Sequence, residues 1–280
     1  MYDAFMCLSS GTSSLSRSVW FCLLLIALAA SPGLAEDITW VTSSPGTSAR
    51  ETMDSGMLAY LTRNLPDFSH HILRVSAARA YHELQHGAGI CKADVIVTPE
   101  REELYAFVSR RREVPGFRLL VRKDRLSLLA PAMSGRDEVD LGRMSAVKGL
   151  NGGFTVSRRY DPVIAEFIQN QGNAAMDSMV ATFQLFNLLQ AGRIDYTFVL
   201  PMDFYYYQDK ALREEMLLLR VKDAAPIVHA GVACSPEPVG RRAVAAMDAL
   251  LADDAHWEEF VEPIRKWLPP EDFARLEAGH

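Results

Sequence analysis

From Ile38 to Val97 the chain alternates short apolar runs with segments of helical character. Ile38-Thr39-Trp40-Val41 reads as a buried strand. Ser43 to Ser48 is turn-rich, and Met57 to Leu65 is a short helix that halts before Pro66. Ile72 to Val75 is a second strand. Ser76 then supplies an N-cap for a helix through His86, with Gly87 and Gly89 as its stop. Ala93 to Val97 is a third strand. Strand–helix–strand–helix–strand is the alternation that builds a mostly parallel sheet flanked by helices.

The pattern continues beyond Val97. Ala106 to Val108 and Arg118 to Val121 read as strands. A second αβ block follows, with Ala146 to Lys148 as its expected first strand. Asp161-Pro162 opens a helix to Gln169, the Asp as cap and the Pro in the first turn. Met179 to Gln190 is the next helix, stopped by Gly192, and Ile194 to Leu200 is an apolar strand. Leu217 to Arg220 and Ile227 to Ala233 are strands again. Helices from Val239 to Leu251 and from His256 to Trp267 close the chain. No internal repeat or flexible linker separates the two blocks.

The N-terminus has the layout of a secretory leader. Arg17 precedes an apolar run from Val19 to Ala30, Ser31-Pro32-Gly33 breaks it, and Gly33-Leu34-Ala35 places small residues around a cleavage position. The run is too short to cross a bilayer comfortably. Residues 1–35 are therefore expected to leave as a signal peptide, and the mature protein to be periplasmic. Of the 4 cysteines, Cys7 and Cys22 fall in the leader, while Cys91 and Cys234 remain. An even pair in an oxidising compartment suggests a disulfide; two separate buried thiols are the other reading. The net charge of -6, with no basic stripe, argues against nucleic acid as a partner.

Cys91-Lys92-Ala93-Asp94-Val95-Ile96-Val97-Thr98-Pro99-Glu100-Arg101 resembles the strand and "T-x-x-R" turn of family 3 extracellular solute-binding proteins. Ala106-Phe107-Val108-Ser109 is similar to their "Phe-Ser" strand. Leu119-Leu120-Val121-Arg122-Lys123 is similar to their crossover, and Leu188 to Tyr196 to their "G-R-x-D" helix-to-strand turn. The Ile38-Thr39-Trp40 start fits as well. The resemblance covers nearly the whole mature chain in the right order. It implies the α/β type II periplasmic-binding-protein fold: two lobes, two crossover strands and a ligand cleft between. Lobe one would comprise residues 36–121 and 223–280, and lobe two residues 122–222. In that fold the strand starting at Cys91 and the strand ending at Cys234 are antiparallel neighbours, which favours the Cys91–Cys234 disulfide.

The resemblance also implies a role: a small solute held in the cleft by lobe closure, with a membrane transporter or sensor as partner, a monomeric state and no cofactor. Arg101 matches the family's ligand-carboxylate arginine, and its planar donor fork suits a carboxylate or phosphate. Thr98 offers a hydroxyl beside it, and Trp40 belongs to the same expected set. In lobe two, Thr155, Ser157, Arg158 and Tyr160 precede the helix near Pro162, whose N-terminus favours anions. An ion pair of Arg101 with Glu100 or Glu102 is the structural alternative. Departures from the family are the absence of an acid directly after "G-R-x-D", where Leu200-Pro201 stand and Asp203 comes late, and Ser44-Pro45-Gly46 in place of a Pro-Pro-Phe shelf. These departures point away from an ordinary amino acid, toward a different anion or a pocket that has lost its ligand.

Two other readings compete. His82-Glu83-Leu84-Gln85-His86 fits the H-E-x-x-H pattern of zinc hydrolases, with both imidazoles on one helical face. Gly87 ends that helix at once, no third-ligand extension follows, and His70-His71 would have to supply one, so no metal ligand is assigned. No G-x-S-x-G is present and no catalytic residue is assigned. The remaining reading is a degenerate binding fold serving as a sensor or docking module.

Overall fold

A computed structural model describes residues 35–43, 53–155, 158–171, 175–178, 182–206 and 210–265, together with 268 and 274. Residues 1–34 of the expected signal peptide, and Ser157, lie outside the described residues. The chain divides between Ala35 and Glu36, and the unit from Glu36 onward carries two mixed six-stranded sheets.

The first sheet begins with β1 (Glu36–Thr42), helix α1 (Met53–Asn64), β2 (Phe68–Arg74), α2 (Ala77–His86), β3 (Ile90–Ile96), α3 (Pro99–Leu104), β4 (Ala106–Phe107) and β5 (Arg112–Pro115). β1 pairs in parallel with both β2 and β3. The second sheet takes over with β6 (Arg118–Arg122), α4 (Leu126–Leu129), β7 (Glu138–Val139), α5 (Leu141–Met144) and β8 (Gly152–Thr155). It continues through α6 (Pro162–Asn170), β9 (Ala175–Ser178), α7 (Thr182–Gln190), β10 (Tyr196–Val199), α8 (Pro201–Tyr206), α9 (Lys210–Glu215) and β11 (Met216–Val221). The chain then returns through β12 (Ile227–Cys234), which pairs antiparallel with β3, β4 and β5, and ends in α10 (Pro238–Leu251) and α11 (Asp254–Arg265). Strand order is β2-β1-β3-β12-β4 in the first sheet, with β5 also on β12, and β7-β11-β6-β10-β8-β9 in the second.

Local chemistry explains most boundaries. Ser76 accepts a hydrogen bond from the Arg79 amide and caps α2; Asp161 does the same for Val163 and caps α6 with Pro162 behind it. Gly192 has φ +65°, the left-handed turn that ends α7. Apolar faces are buried on both sides of each sheet. One large core runs from Trp40, Leu61 and Met247 over the first sheet to Ile164, Phe167 and Phe198 over the second. Smaller clusters line the opposite faces: Val41, Leu84 and Val95 on the first sheet, Leu120, Phe186 and Met216 on the second.

The two connections between the sheets pass each other in direct contact. Gly116, between β5 and β6, donates its amide to the Pro226 carbonyl at 2.7 Å. A Cβ at Gly116 would stand 2.0 Å from the Ala225 carbonyl oxygen, so no other residue fits without a backbone shift.

Two expectations are corrected, for Ala146 to Lys148 and for the "T-x-x-R" segment. Ala146 to Lys148 is no strand: the amides of Ala146 and Val147 bond back to Arg143 and Met144 and close the turn after α5. Of the helix expected from Met179 to Gln190, the described part is α7 from Thr182, and β9 lies before it; Met179 to Ala181 lie outside the described residues. The "T-x-x-R" segment is the first turn of helix α3.

Candidate functional site

The facing ends of the two sheets carry the polar residues of interest. On the first sheet, Thr98 caps α3, its Oγ1 accepting from the Arg101 amide at 3.3 Å. The cap and Pro99 fix the start of the helix and put Arg101 one turn in, over the end of β3. The Arg101 side chain is 4% exposed. Its Nη1 donates to the Ile96 carbonyl at 3.0 Å, and its guanidinium lies 4.3 Å from the centre of the Tyr81 ring. Lys92 approaches the same ring at 6.0 Å and pairs with Asp94. The acids flanking Arg101 go elsewhere: Glu102 to Arg111 and Glu100 to Arg159.

On the second sheet, β8 ends at Thr155, which is 6% exposed and whose hydroxyl lies beside the Tyr160 phenol. The Thr155 amide donates to the Tyr160 hydroxyl at 3.0 Å. Tyr160 packs 5.3 Å from Phe117, the residue just before β6. Arg158 lies over the Phe117 ring at 5.2 Å and pairs with Asp203 of α8 at 2.5 Å. Burial alone would depress the Arg158 guanidinium; the Asp203 carboxylate, followed by Tyr160, offsets it, and the net direction is upward. Burial pushes the Tyr160 phenol up, with Arg158 pulling the other way.

The two faces meet. Arg159 grips Glu100 with two hydrogen bonds, Nε at 3.1 Å and Nη2 at 2.6 Å. That contact lowers the Glu100 carboxyl, first through the hydrogen bond and then through the charge of Arg159. Tyr81 of α2 lies close enough to Arg158 and Arg159 to couple to the titration of both. The result is a pair of largely buried guanidiniums, Arg101 and Arg158, reaching the same interface from different sheets. Aromatic rings stand beside them, and the acid Asp203 pairs with Arg158.

Among the sequence-based candidates, Arg101, Thr98, Thr155, Arg158 and Tyr160 all sit on this interface. Trp40 does not: it is fully buried in β1, with Nε1 donating to His70 Nδ1 at 3.1 Å. Tyr81, Phe117 and the Arg159–Glu100 pair went unrecognised, because only the fold brings them to the interface. Asp203 was noticed in sequence as an acid too late for the family pattern. Placed on α8 immediately after β10, it arrives beside Arg158.

The H-E-x-x-H segment lies on the outer side of α2. The His82 and His86 rings are 4.8 Å apart and exposed, and Glu83 takes the Arg79 guanidinium at 3.2 Å. His70 is committed to Trp40 and to the Leu65 carbonyl, and His71 approaches Asp37. No group of three or more metal-ligating side chains occurs among the described residues. Among the described residues the zinc hydrolase alternative therefore has two adjacent imidazoles without a third ligand beside them.

No family model matches the sequence, and no curated protein matches it. Solved structures do. An amino acid ABC transporter substrate-binding protein from Streptococcus pneumoniae, bound to L-arginine, superposes with a TM-score of 0.61 at 12% identity, over 83% of this chain and 95% of that one. An ABC uptake transporter substrate-binding protein from Streptococcus pneumoniae, with bound histidine, gives 0.62 at 14% identity, over 83% and 92%. A putative L-cystine ABC transporter protein from Listeria monocytogenes gives 0.59 at 15%, over 84% and 97%. At such identities the likeness speaks for the fold: this chain has the two-lobed α/β architecture of amino acid ABC transporter substrate-binding proteins.

Proposed function

We propose that the protein is an exported solute-binding protein that closes its lobes around a small carboxylate-bearing solute. The observation that carries the reading is the meeting of Arg101 and the Arg158–Asp203 pair at the interface of the two sheets. Buried charge is costly unless paired, and a buried arginine at the end of a strand is a natural carboxylate anchor. Among the described residues the Arg101 guanidinium donates to a carbonyl and lies against a ring, which leaves donors of its fork for an anion. The buried Thr155 hydroxyl, beside the Tyr160 phenol, is a further polar group at the interface. Asp203 changes the expected ligand class. A solute bearing both a carboxylate and an ammonium could take the two halves of the Arg158–Asp203 pair, whereas a simple anion would leave Asp203 facing like charge. The named ligands of the structural neighbours, arginine and histidine, are zwitterions of this kind. Delivery to a membrane transporter or sensor is the corresponding cellular role.

The test is a melting-temperature screen of the mature protein with the α-amino acids and with their N-acetyl derivatives. A ligand at a hundred times its Kd stabilises the native state by ~2.7 kcal/mol, enough to raise Tm measurably. The expected pattern is a rise with at least one amino acid, lost on N-acetylation, lost in Asp203→Asn, and sharply weakened in Arg101→Lys, which keeps charge but not the fork. A flat response to every amino acid would sink the zwitterion reading; affinity unchanged in Arg101→Lys would remove that residue from the site.

A further inference from the structure

On the second sheet, away from the Arg158–Asp203 pair, lies a separate recess of about 310 Å³. Its floor is apolar: Phe204 and Met216, both nearly fully buried, with Leu218 beside them. Three arginines reach its rim from different elements, Arg118 at the start of β6, Arg213 on α9 and Arg220 near the end of β11. Arg220 is satisfied by Asp137, which it grips with Nε and Nη2 at 3.2 and 2.9 Å. Arg118 donates to the Gly116 carbonyl at 3.2 Å. Arg213 differs, because its Nε is buried with no hydrogen-bond partner among the described residues.

A buried guanidinium N–H without an acceptor costs free energy that an incoming acceptor would recover. Rim charge adds to the case. Three guanidiniums line the recess against one lining carboxylate, Asp137, which Arg220 grips, and Glu138 is 3.9 Å from Arg220. The local balance stays positive. A ligand fitting this setting has one anionic head for the Arg213 fork and an apolar body for the Phe204–Met216–Leu218 floor. The volume falls at the small end of ligand pockets, roughly 300–1,000 Å³. α8 turns Asp203 toward Arg158 and Phe204 toward the recess, so the two sites share a helix but no lining side chain named for the first.

We propose that this recess is a second small-molecule site, selective for an organic monoanion with an aromatic or aliphatic body, anchored by Arg213. The proposal does not rest on the reading of the interface between the sheets. The experiment is isothermal titration calorimetry of the mature protein with 4-phenylbutyrate, and with 4-phenylbutanol as the uncharged match. Saturable binding of the acid and none of the alcohol is expected. Arg213→Gln should weaken the acid at least tenfold, and Arg213→Lys should recover part of that loss. Leu218→Trp, which fills the floor, should abolish binding even if the charge is intact. Melting curves of each variant separate lost binding from lost folding. Absence of saturable binding to the wild type, or equal affinity in Arg213→Gln, would overturn the proposal. So would a loss confined to Arg101→Lys, which would place 4-phenylbutyrate between the sheets instead.

Discussion

Glu100 and Arg159 show how single residues couple the two halves of the molecule. Glu100 is on α3 of the first sheet and Arg159 follows β8 of the second, and both are exposed enough for water to screen the pair. Such a contact is suited to opening and closing rather than to holding the fold. The Glu100 carboxyl is lowered from its ordinary 4.5 by the Arg159 hydrogen bond and charge. A lowered carboxyl favours the closed arrangement fully above pH 4.5, and the preference fades as pH falls through the shifted value. Small-angle scattering on the ligand-free protein should therefore show expansion only below that range, and at higher salt. In Glu100→Gln the expansion should already be present at neutral pH, with no acid transition left. Identical scattering for wild type and variant at pH 7 would rule out the latch. At this scale the sequence was partly legible. Arg101 and Arg158 could be picked out as cations just past strand ends, and Thr98 as a hydroxyl beside one of them. Their partners could not, since Ile96, Tyr81 and Asp203 are chosen by tertiary placement. The two acids next to Arg101 were the reasonable sequence neighbours for it, yet helix α3 turns both toward other arginines.

Among the elements, the crossover at Gly116 carries the sharpest constraint. Here the outgoing chain between β5 and β6 touches the returning chain at Ala225 and Pro226. Alanine at 116 would drive its Cβ to 2.0 Å from a backbone oxygen, which cannot rotate away as a side chain could. The two crossovers would have to part, at a cost on the order of 3 kcal/mol from overpacking. Gly116→Ala should lower Tm clearly, and because the strain sits where both connections run, it should also shift the scattering profile toward a more open form. Unchanged melting would mean that the crossovers are looser than their geometry indicates. The longer strands and helices were readable from apolar periodicity and caps: Ser76 and Asp161 mark their helices where expected, and β1, β3, β6, β10, β11 and β12 all overlap the apolar runs. Short elements were not. β5, β7 and β9 are four residues or fewer, too brief for alternation to register, and α3 hides behind a turn-like Thr-Pro pair that in fact caps a helix. Ala146 to Lys148 has strand-like composition but sits in the turn after α5, where hydrogen bonds back into the helix decide its form.

For the molecule as a whole, the Cys91–Cys234 disulfide sets the connection between its first and last thirds. Cys91 of β3 stands directly opposite Cys234 of β12 in the antiparallel register, and the two sulfurs are bonded. The sequence separation is 143 residues, and the enclosed segment contains all of the second sheet. A crosslink of that span restricts the unfolded chain strongly, by ~4–5 kcal/mol in the chain-entropy model. It acts on the unfolded state, so its removal should leave native ligand binding intact and lower only the resistance to unfolding. For a protein of this size ~2–4 °C of Tm accompanies each kcal/mol, so the reduced protein should melt on the order of 10 °C lower. Both cysteines are fully buried, so replacing them with alanine would add a packing loss of its own. Comparing oxidised and reduced wild type avoids that, with Cys91→Ala/Cys234→Ala as a second arm in which added reductant should have no further effect. The bond also needs an oxidising compartment, which the expected leader would provide. Protein recovered from the periplasm should start near Glu36 by intact mass and resist alkylation until it is unfolded and reduced, whereas a leaderless form made in a reducing cytoplasm should label on both sulfurs once unfolded. Labelling of both thiols in unfolded, unreduced periplasmic protein would show that the strands meet without a bond. Equal melting of oxidised and reduced forms would show that the bond exists but does not restrain the unfolded chain, and that the β3–β12 pairing is held by its ladder and core alone.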